Sequence, residues 1–290
     1  MTENRAASNK AVVLAWVAAL FSITAVGILP LFVYRVDLGT LSFSTPIPVV
    51  AGIGIEVTAY APTLAALLVA GLMPRGGGIR RLLRPVLRWR LGPGWYVLAL
   101  VGPSVLFVVG DLVRVLLNAP LPAEWLALPG PAAIAFLIGA LIAGSFGEEV
   151  GWRGLGQPQL QLPYGAFKAA VLVGVVWSVW HLWPVIAPGG LGTTTLSDAL
   201  LTFVRLIATS VIYAWLYNST RGSLLIVMLA HAGHNLAANF VPIAGVGNHA
   251  DPITAALYVV AAGLVLALAG PRWLSRIHEY PEPFAAAVHA

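Results

Sequence analysis

Residues 127–154 read ALPGPAAIAFLIGALIAGSFGEEVGWRG, an apolar run that ends in two adjacent glutamates, Glu148 and Glu149. No charged residue precedes these glutamates within the stretch. A helix needs about 20 apolar residues to cross the roughly 30 Å hydrocarbon core of a bilayer, and this run is long enough. We therefore predict a membrane-spanning helix over 127–149 that carries both carboxylates at its end.

The composition of the whole chain is typical of a membrane protein. Of its 290 residues, 59% are hydrophobic and 9% are charged, and the mean hydropathy is +0.87. Soluble domains carry roughly 25% charged residues, so most of this protein's surface must face lipid. The chain has no cysteine, which excludes a disulfide framework, a thiolate metal site and a thiol nucleophile.

Eight apolar segments have the length of a transmembrane helix. They are 11–34, 48–73, 95–118, 127–149, 167–187, 199–217, 223–245 and 253–270. A transmembrane β-barrel would instead show short segments of alternating hydrophobicity. The first run is too long for a signal peptide and lacks a small-residue cleavage pattern, so we expect it to be retained. The sequence predicts an all-α polytopic membrane protein with about eight transmembrane helices. Local kinks are expected where proline or glycine lies inside a span, at Pro62, Pro103, Pro184 and Gly233.

The charged residues between these segments predict the topology. The linker 74–94 carries six arginines and no acid, and every second loop after it also carries a basic residue. The alternate loops hold the acids Asp37, Glu124, Asp198 and Asp251, with Arg35 as their only basic residue. By the positive-inside rule, both termini are expected in the cytoplasm. We expect three regions: a tail at 1–10, a single transmembrane domain at 11–270 and a second tail at 271–290.

The two adjacent glutamates cannot share one environment, because successive residues of a helix point about 100° apart. Glu149 and Arg153 stand at i, i+4 with the acid first, the favourable orientation for an ion pair. Glu148 then faces elsewhere, together with Trp152. We predict one structural carboxylate, Glu149, and one reactive carboxylate, Glu148. The alternative is a helix end whose charges merely reach water.

Further polar residues occur inside the later spans. His181 lies one turn after Trp177 in VWSVWHLWP, and His231 and Asn235 share a helical face in LAHAGHNLAANF. His234 is about 60° from His231 and either joins that face or misses it. Each has a simpler explanation, in a membrane-interface aromatic belt or in hydrogen bonds between helices. A central charge costs about 2.5–3.5 kcal/mol to insert, however, so ionisable residues inside spans are functional candidates.

Together these side chains have the chemistry that water activation requires. A desolvated glutamate can accept a proton from water, and a histidine can hold or share that proton. An imidazole N–H and an asparagine amide can donate to a tetrahedral oxyanion. Histidine and glutamate are also common zinc ligands, so a metal site is the alternative arrangement.

The three motifs resemble the CPBP family of intramembrane proteases, which includes CAAX prenyl endopeptidases of the Rce1 type and bacterial bacteriocin-processing and immunity proteins. The family pattern is EExxxR, then FxxxH, then HxxxN or HxxxD on successive transmembrane helices. EEVGWR at 148–153, WSVWH at 177–181 and HAGHN at 231–235 follow this order. Trp177 stands where the family usually has phenylalanine, one aromatic ring in place of another. The resembling core covers about 130–245.

The resemblance implies an eight-helix membrane fold with a cavity that opens to the cytoplasm. The motif residues would divide into three roles: water activation by Glu148 and His181, an oxyanion site from His231 and Asn235, and structural support from Glu149 and Arg153. The family's glutamate mechanism needs no bound metal, so no metal or other cofactor is expected, with a divalent metal such as zinc as the alternative.

The function that the resemblance implies is intramembrane endopeptidase activity in a bacterial plasma membrane. The expected partners are the lipid bilayer and a membrane-associated protein or peptide substrate, not nucleic acid. One alternative is a non-proteolytic immunity or binding protein that retains the pocket. Another is a proton or ion pathway through the remaining ionisable residues of the spans, Glu56, Asp111, Arg114 and Arg205. No inverted repeat supports a pathway, and Asp111 and Arg114 at i, i+3 are expected to neutralise each other.

The depths of the candidate residues set one further expectation. With the boundaries above, Glu148 lies near the cytoplasmic edge, whereas His181 lies roughly 20 Å deep at 1.5 Å per residue. The two side chains could not then meet. We therefore expect the fourth helix to continue to about Gly156 and the fifth to begin inside the cytoplasm.

Overall fold

The computed structural model describes residues 2–39, 45–73, 78–119, 130–190, 194–241 and 251–281, and these residues contain helices but no strand. The helices are α1 Thr2–Val33, α2 Val49–Ala59, α3 Ala61–Gly71, α4 Gly78–Leu83, α5 Pro93–Leu116, α6 Pro131–Glu149, α7 Gln157–Tyr164, α8 Ala166–Trp180, α9 Trp183–Ile186, α10 Leu196–Ser219, α11 Leu224–Phe240 and α12 Pro252–Ala269. A 3₁₀ turn covers Arg84–Leu87, and a π-helical segment covers Val150–Gly156.

Six helical segments are long and apolar enough to cross a membrane. They are Asn9–Val33, Pro93–Leu116, Pro131–Tyr164, Ala166–Ile186, Leu196–Ser219 and Pro252–Ala269. Helices α2 and α3 pass the same test together, although they meet at 67°, and would form a seventh span. The predicted class, an all-α polytopic membrane protein, is therefore confirmed, and the protein is an integral membrane protein. The topology of its termini stays a prediction.

The predicted span at 223–245 differs from the others in length. Its helix, α11, has 17 residues and is therefore about 25 Å long, less than the roughly 30 Å of a hydrocarbon core. Ser223 begins the helix by accepting a hydrogen bond from the backbone N–H of Ile226, and Val241 has extended backbone angles that end it. The described helices thus give six or seven full spans and one short apolar helix where eight spans were expected.

The bend between α2 and α3 brings α3 against the two-glutamate stretch. Pro62 has no backbone N–H to continue the helix, which is consistent with the kink predicted there. Its carbonyl oxygen accepts a hydrogen bond from Trp16 Nε1 at 3.0 Å. Gly151 passes so close that a Cβ there would lie 2.4 Å from this oxygen. Glycine at position 151 therefore allows α3 to contact the π-helical segment directly.

The helix that carries the glutamates continues well beyond them. Helix α6 passes into the π-helical segment Val150–Gly156 and then into α7, which ends at Tyr164. The expected extension to about Gly156 is confirmed and exceeded. Every residue of the π-helical segment is buried, in contact with α3, α7 and α11 among others. The wider π turn is found mostly as short interruptions of helices, frequently at functional sites.

The distribution of side chains is that of a protein whose outer solvent is lipid. Large apolar residues are exposed on the outer faces of the helices, among them Leu14, Val97 and Leu264. Several charged side chains of the helices lie inside instead, as at Glu149 and Arg153, which are fully buried. Helix α8 packs on α10, and α11 packs on α5 and α6, so the later motifs face the end of α6.

Candidate active site

The carboxylate of Glu148 is held on one oxygen by two indole groups. Trp152 Nε1 donates to Oε2 at 3.2 Å, and Trp177 Nε1 donates to the same oxygen at 2.9 Å. The second oxygen, Oε1, lies 4.0 Å from Nε2 of His231. Trp152 comes from the π-helical segment and Trp177 from α8, so two elements orient the carboxylate. Both bonds are to Oε2, and Oε1 faces the imidazole.

Glu149 contacts a different set of side chains. Its Oε2 lies 3.3 Å from Nη1 of Arg153, the ion pair predicted from their spacing. Its Oε1 lies 2.8 Å from Nδ1 of His231, on a helix that is distant in sequence. Both Glu149 and Arg153 are completely buried. Glu149 therefore joins the arginine of its own helix to the histidine of α11.

Arg153 is enclosed by aromatic rings. Its guanidinium carbon lies 5.0 Å from the Trp177 ring centroid and 5.1 Å from that of Tyr213. Tyr213 in turn lies 5.8 Å from the His231 ring, centroid to centroid. Cation–π contacts of this kind stabilise a guanidinium away from water. They add to the carboxylate of Glu149 in compensating the buried charge.

His181 occupies the position just after α8. Its Nδ1 is 3.0 Å from the carbonyl oxygen of Trp177, a contact in which the ring N–H must donate. The other nitrogen, Nε2, is then the unprotonated one in the neutral ring. The ring packs edge-on against Trp180 at 4.9 Å and Trp177 at 5.5 Å. His181 and Glu148 are thus both in contact with Trp177, without a hydrogen bond between them.

Asn235 lies one turn after His231 on the same face of α11, as the spacing predicted. Its Nδ2 donates to Oγ of Ser145 at 3.3 Å. Ser145 precedes Glu148 by three residues on α6. The amide therefore faces the helix that carries the glutamates, although it makes no hydrogen bond to Glu148 itself.

Of the six motif residues, the structure joins four directly: Glu148, Glu149, Arg153 and His231. His181 and Asn235 adjoin this cluster through Trp177 and Ser145. In the described part of the chain, no three residues among histidine, cysteine, aspartate and glutamate are arranged to hold a metal ion.

Sequence reasoning missed two contacts at this site. The bond between Glu149 and His231 joins residues 82 positions apart and depends on how α11 packs against α6. The bond from Trp177 to Glu148 had a signal in the sequence. Tryptophan has an indole N–H that phenylalanine lacks, so the replacement at this position adds a donor as well as an aromatic ring.

These features define a class: a polytopic helical membrane protein with a buried centre of carboxylates and histidine. Residues 129–237, which contain all three motifs, match the family model of type II CAAX prenyl endopeptidases, Rce1-like. The chain is also 30% identical over 138 residues to CAAX prenyl protease 2 of Methanococcus maripaludis, a match that covers 46% of this chain. It covers 49% of the relative, so the chain matches about half the length of that protein. The resemblance to Rce1-like CPBP proteases, predicted from the motifs, is confirmed.

Proposed function

We propose that this protein is an intramembrane endopeptidase that hydrolyses a peptide bond of a membrane-associated protein or peptide. The observation that carries the proposal is the asymmetric Glu148 carboxylate. Its Oε2 is occupied by two indole N–H donors, and its Oε1 faces His231 Nε2 at 4.0 Å. The match to the Rce1-like family supports the same activity.

Glu148 would act as the general base. A separation of 4.0 Å is longer than a direct hydrogen bond, yet a water molecule can lie within hydrogen-bonding distance of both atoms. Oε1 is the oxygen free to take the proton of that water as it attacks the scissile carbonyl. The two indole donors hold the other oxygen, so the base has one orientation. General bases of this kind contribute about 10²–10⁴-fold to a rate.

His231 and Asn235 would bind the oxyanion that forms on the scissile carbonyl. Glu149 accepts from Nδ1 of His231, which fixes the ring with Nε2 toward Glu148. An imidazolium would donate from both nitrogens and could therefore serve Glu149 and the oxyanion together. The Asn235 amide has two N–H donors, of which one is used by Ser145. The second remains for the oxyanion.

His181 would share the proton taken from water and pass it to the leaving amine. Its Nδ1–H is directed at the Trp177 carbonyl, so Nε2 is the nitrogen that can accept a proton. Glu149 and Arg153 would support the site rather than react, because both are fully buried and Glu149 is paired with Arg153 and with His231.

The substrate class to test first comes from the names of the similar proteins. CAAX prenyl endopeptidases are named for a prenylated cysteine followed by three C-terminal residues. We propose a peptide of this kind, or another lipid-anchored peptide, as the substrate in a bacterial plasma membrane. Fluorescence-quenched peptides that carry an S-farnesyl group, a different lipid or no lipid, added to purified protein in nanodiscs, would separate these possibilities.

The test compares Glu148→Gln with the matched control Glu56→Gln, which alters an exposed glutamate on α2. We expect the first variant to be folded but at least 10³-fold slower in cleavage, and the second to cleave like the wild type. Hydrolysis retained in Glu148→Gln would overturn the proposal. A non-proteolytic immunity or binding protein would show no cleavage in the wild type and an unchanged phenotype in the Glu148→Gln variant.

A further inference from the structure

Three arginines lie inside the membrane-spanning helices in the described part of the chain, and they differ in how their charge is compensated. Arg114 contacts the carboxylates of Asp111 and Asp251. Arg153 contacts Glu149 and two aromatic rings. Arg205, near the middle of α10, has no carboxylate partner among the described residues.

The side chain of Arg205 forms one hydrogen bond within the described structure. Its Nη1 lies 3.2 Å from Nε2 of His234. Because Nε2 accepts this bond, the ring proton of a neutral His234 sits on Nδ1, which contacts the hydroxyl of Tyr258. A neutral imidazole orients the guanidinium but does not balance its charge. The Nε atom of Arg205 is buried and has no hydrogen-bond partner in the part of the chain that is described.

Arg205 is partly buried, unlike the buried Arg114 and Arg153. A guanidinium without a compensating carboxylate at membrane depth is costly, and residues of this kind usually mark a binding site or pathway. Arg205 is next to the candidate active site. Its partner His234 follows His231 by three residues on α11, less than one helical turn. Arg205 is also close enough to His181 and Tyr213 to interact with them electrostatically.

We propose that Arg205 is an anion subsite that binds a carboxylate of the substrate, an inference that rests on the proposed peptidase function. Guanidinium groups bind carboxylates through paired N–H donors, and the Arg205 donors not used by His234 suit this purpose. Arg205 binds His234, which lies within one helical turn, about 5.4 Å, of His231. An extended peptide advances about 3.3 Å per residue, so the bound carboxylate should lie within a few residues of the scissile bond. It is either the C-terminal carboxylate or an acidic side chain.

Three forms of one farnesylated peptide distinguish these two sources. The first ends in a free carboxylate, the second in an amide, and the third in an amide with glutamate as its last residue. Their affinities are measured by fluorescence anisotropy for protein in nanodiscs, in a Glu148→Gln background that prevents cleavage. We expect the free acid to bind at least 10-fold more tightly than the amide. Recovery of affinity by the glutamate amide would assign the subsite to an acidic side chain as well as to the C-terminus.

Substitution of Arg205 should remove this discrimination. We expect Arg205→Met to weaken binding of the free acid by about 10- to 100-fold and to change binding of the amide less than about two-fold. Arg205→Lys keeps the charge but not the paired N–H donors, so it should weaken binding of the free-acid peptide by about three- to ten-fold. The matched control is Val204→Met, which places the same side chain at the neighbouring, exposed position.

The proposed subsite can be overturned in the protein that retains Arg205, whether or not Arg205→Met folds. Two results would do so: equal affinities for the acid and amide peptides, or no measurable binding of either. Cleavage assays with the wild type keep the two proposals apart. Cleavage of acid and amide peptides at equal rates would contradict the subsite and leave the peptidase function in place. Acid-selective binding that depends on Arg205, without any cleavage, would support the subsite and contradict the peptidase function.

Discussion

Two buried clusters in this protein each contain two carboxylates and one arginine, but their contacts are organised differently. In the α5–α12 cluster, Arg114 contacts both Asp111 and Asp251 and also donates to Thr254. In the cluster at the end of α6, Arg153 contacts only one carboxylate, that of Glu149. The other carboxylate, Glu148, has indole donors and a histidine instead.

Buried charge alone does not distinguish the two clusters, because both contain it. Asp251 begins α12 by accepting hydrogen bonds from the first backbone N–H groups of the helix, so its pairing with Arg114 ties α12 to α5. All three members of that cluster therefore have structural partners. The α6 cluster leaves one carboxylate oxygen directed at an imidazole beyond direct hydrogen-bonding distance. We infer that the asymmetry of pairing separates the reactive cluster from the structural one.

A large effect on stability is expected from breaking the α5–α12 cluster. Arg114→Met would leave two buried aspartates without their cation and should destabilise the protein by about 3–5 kcal/mol. The kcat of the molecules that remain folded should not change. The loss of stability is measured by heating the purified protein and following its unfolding by size-exclusion chromatography. The kcat is measured by cleavage at low temperature. A large loss of kcat with intact stability would show that this cluster also takes part in function.

The next effect concerns the proposed oxyanion site. If Asn235 is an oxyanion donor, Asn235→Ala should lower kcat by about 10²–10³-fold, equivalent to about 2.7–4 kcal/mol. The folded state should lose less than about 1.5 kcal/mol, since the amide makes a single hydrogen bond to Ser145. Cleavage within about three-fold of the wild-type rate would exclude Asn235 from the oxyanion site. Asn239→Ala, one turn further on and exposed, is the matched control.

A smaller effect is expected at Trp177. Trp177→Phe keeps the aromatic ring and removes one of the two donors to Glu148, so we expect a loss in kcat of about 10-fold, as for a hydrogen bond to a charged group. Trp152→Phe removes the longer bond, at 3.2 Å, and should cost less. The double variant tests coupling, because donors to one oxygen are not independent. Full activity in Trp177→Phe would mean that the ring alone matters.

The smallest effect is expected at Tyr213. Its hydroxyl is buried and has no hydrogen-bond partner within the described residues, whereas its ring packs on Arg153 and His231. Tyr213→Phe should therefore change the free energy of unfolding by less than about 1 kcal/mol and kcat by less than about three-fold. A loss of more than 10-fold in kcat, measured with the same quenched peptide, would show that the hydroxyl contacts the substrate.

The sequence predicted those features that depend on local geometry or on hydrophobicity. The apolar runs marked the helices, and the i, i+4 spacing of Glu149 and Arg153 predicted their ion pair. The kink at Pro62 was also expected, because proline lacks the N–H that a helix needs.

Features that depend on packing between distant segments could not be read in the same way. The π-helical segment Val150–Gly156 leaves no mark in the pattern of hydrophobicity. The hydrogen bond between Glu149 and His231 requires α11 to lie against α6, which no local rule predicts. The short length of α11 follows from its end at Phe240 and was missed, because the apolar run continues past that residue.

Glu148 and Glu149 are adjacent in sequence but are proposed to have different functions, and one paired measurement distinguishes them. Turnover of a quenched peptide and the unfolding temperature are measured together for Glu148→Gln and Glu149→Gln. We expect Glu148→Gln to lose at least 10³-fold in kcat with an unchanged or higher unfolding temperature. Glu149→Gln should lose stability, by about 3–5 kcal/mol, because it breaks the buried pair with Arg153. Full turnover in Glu148→Gln, or an equal loss of stability in both variants, would show that the two glutamates do not divide the reactive and structural functions.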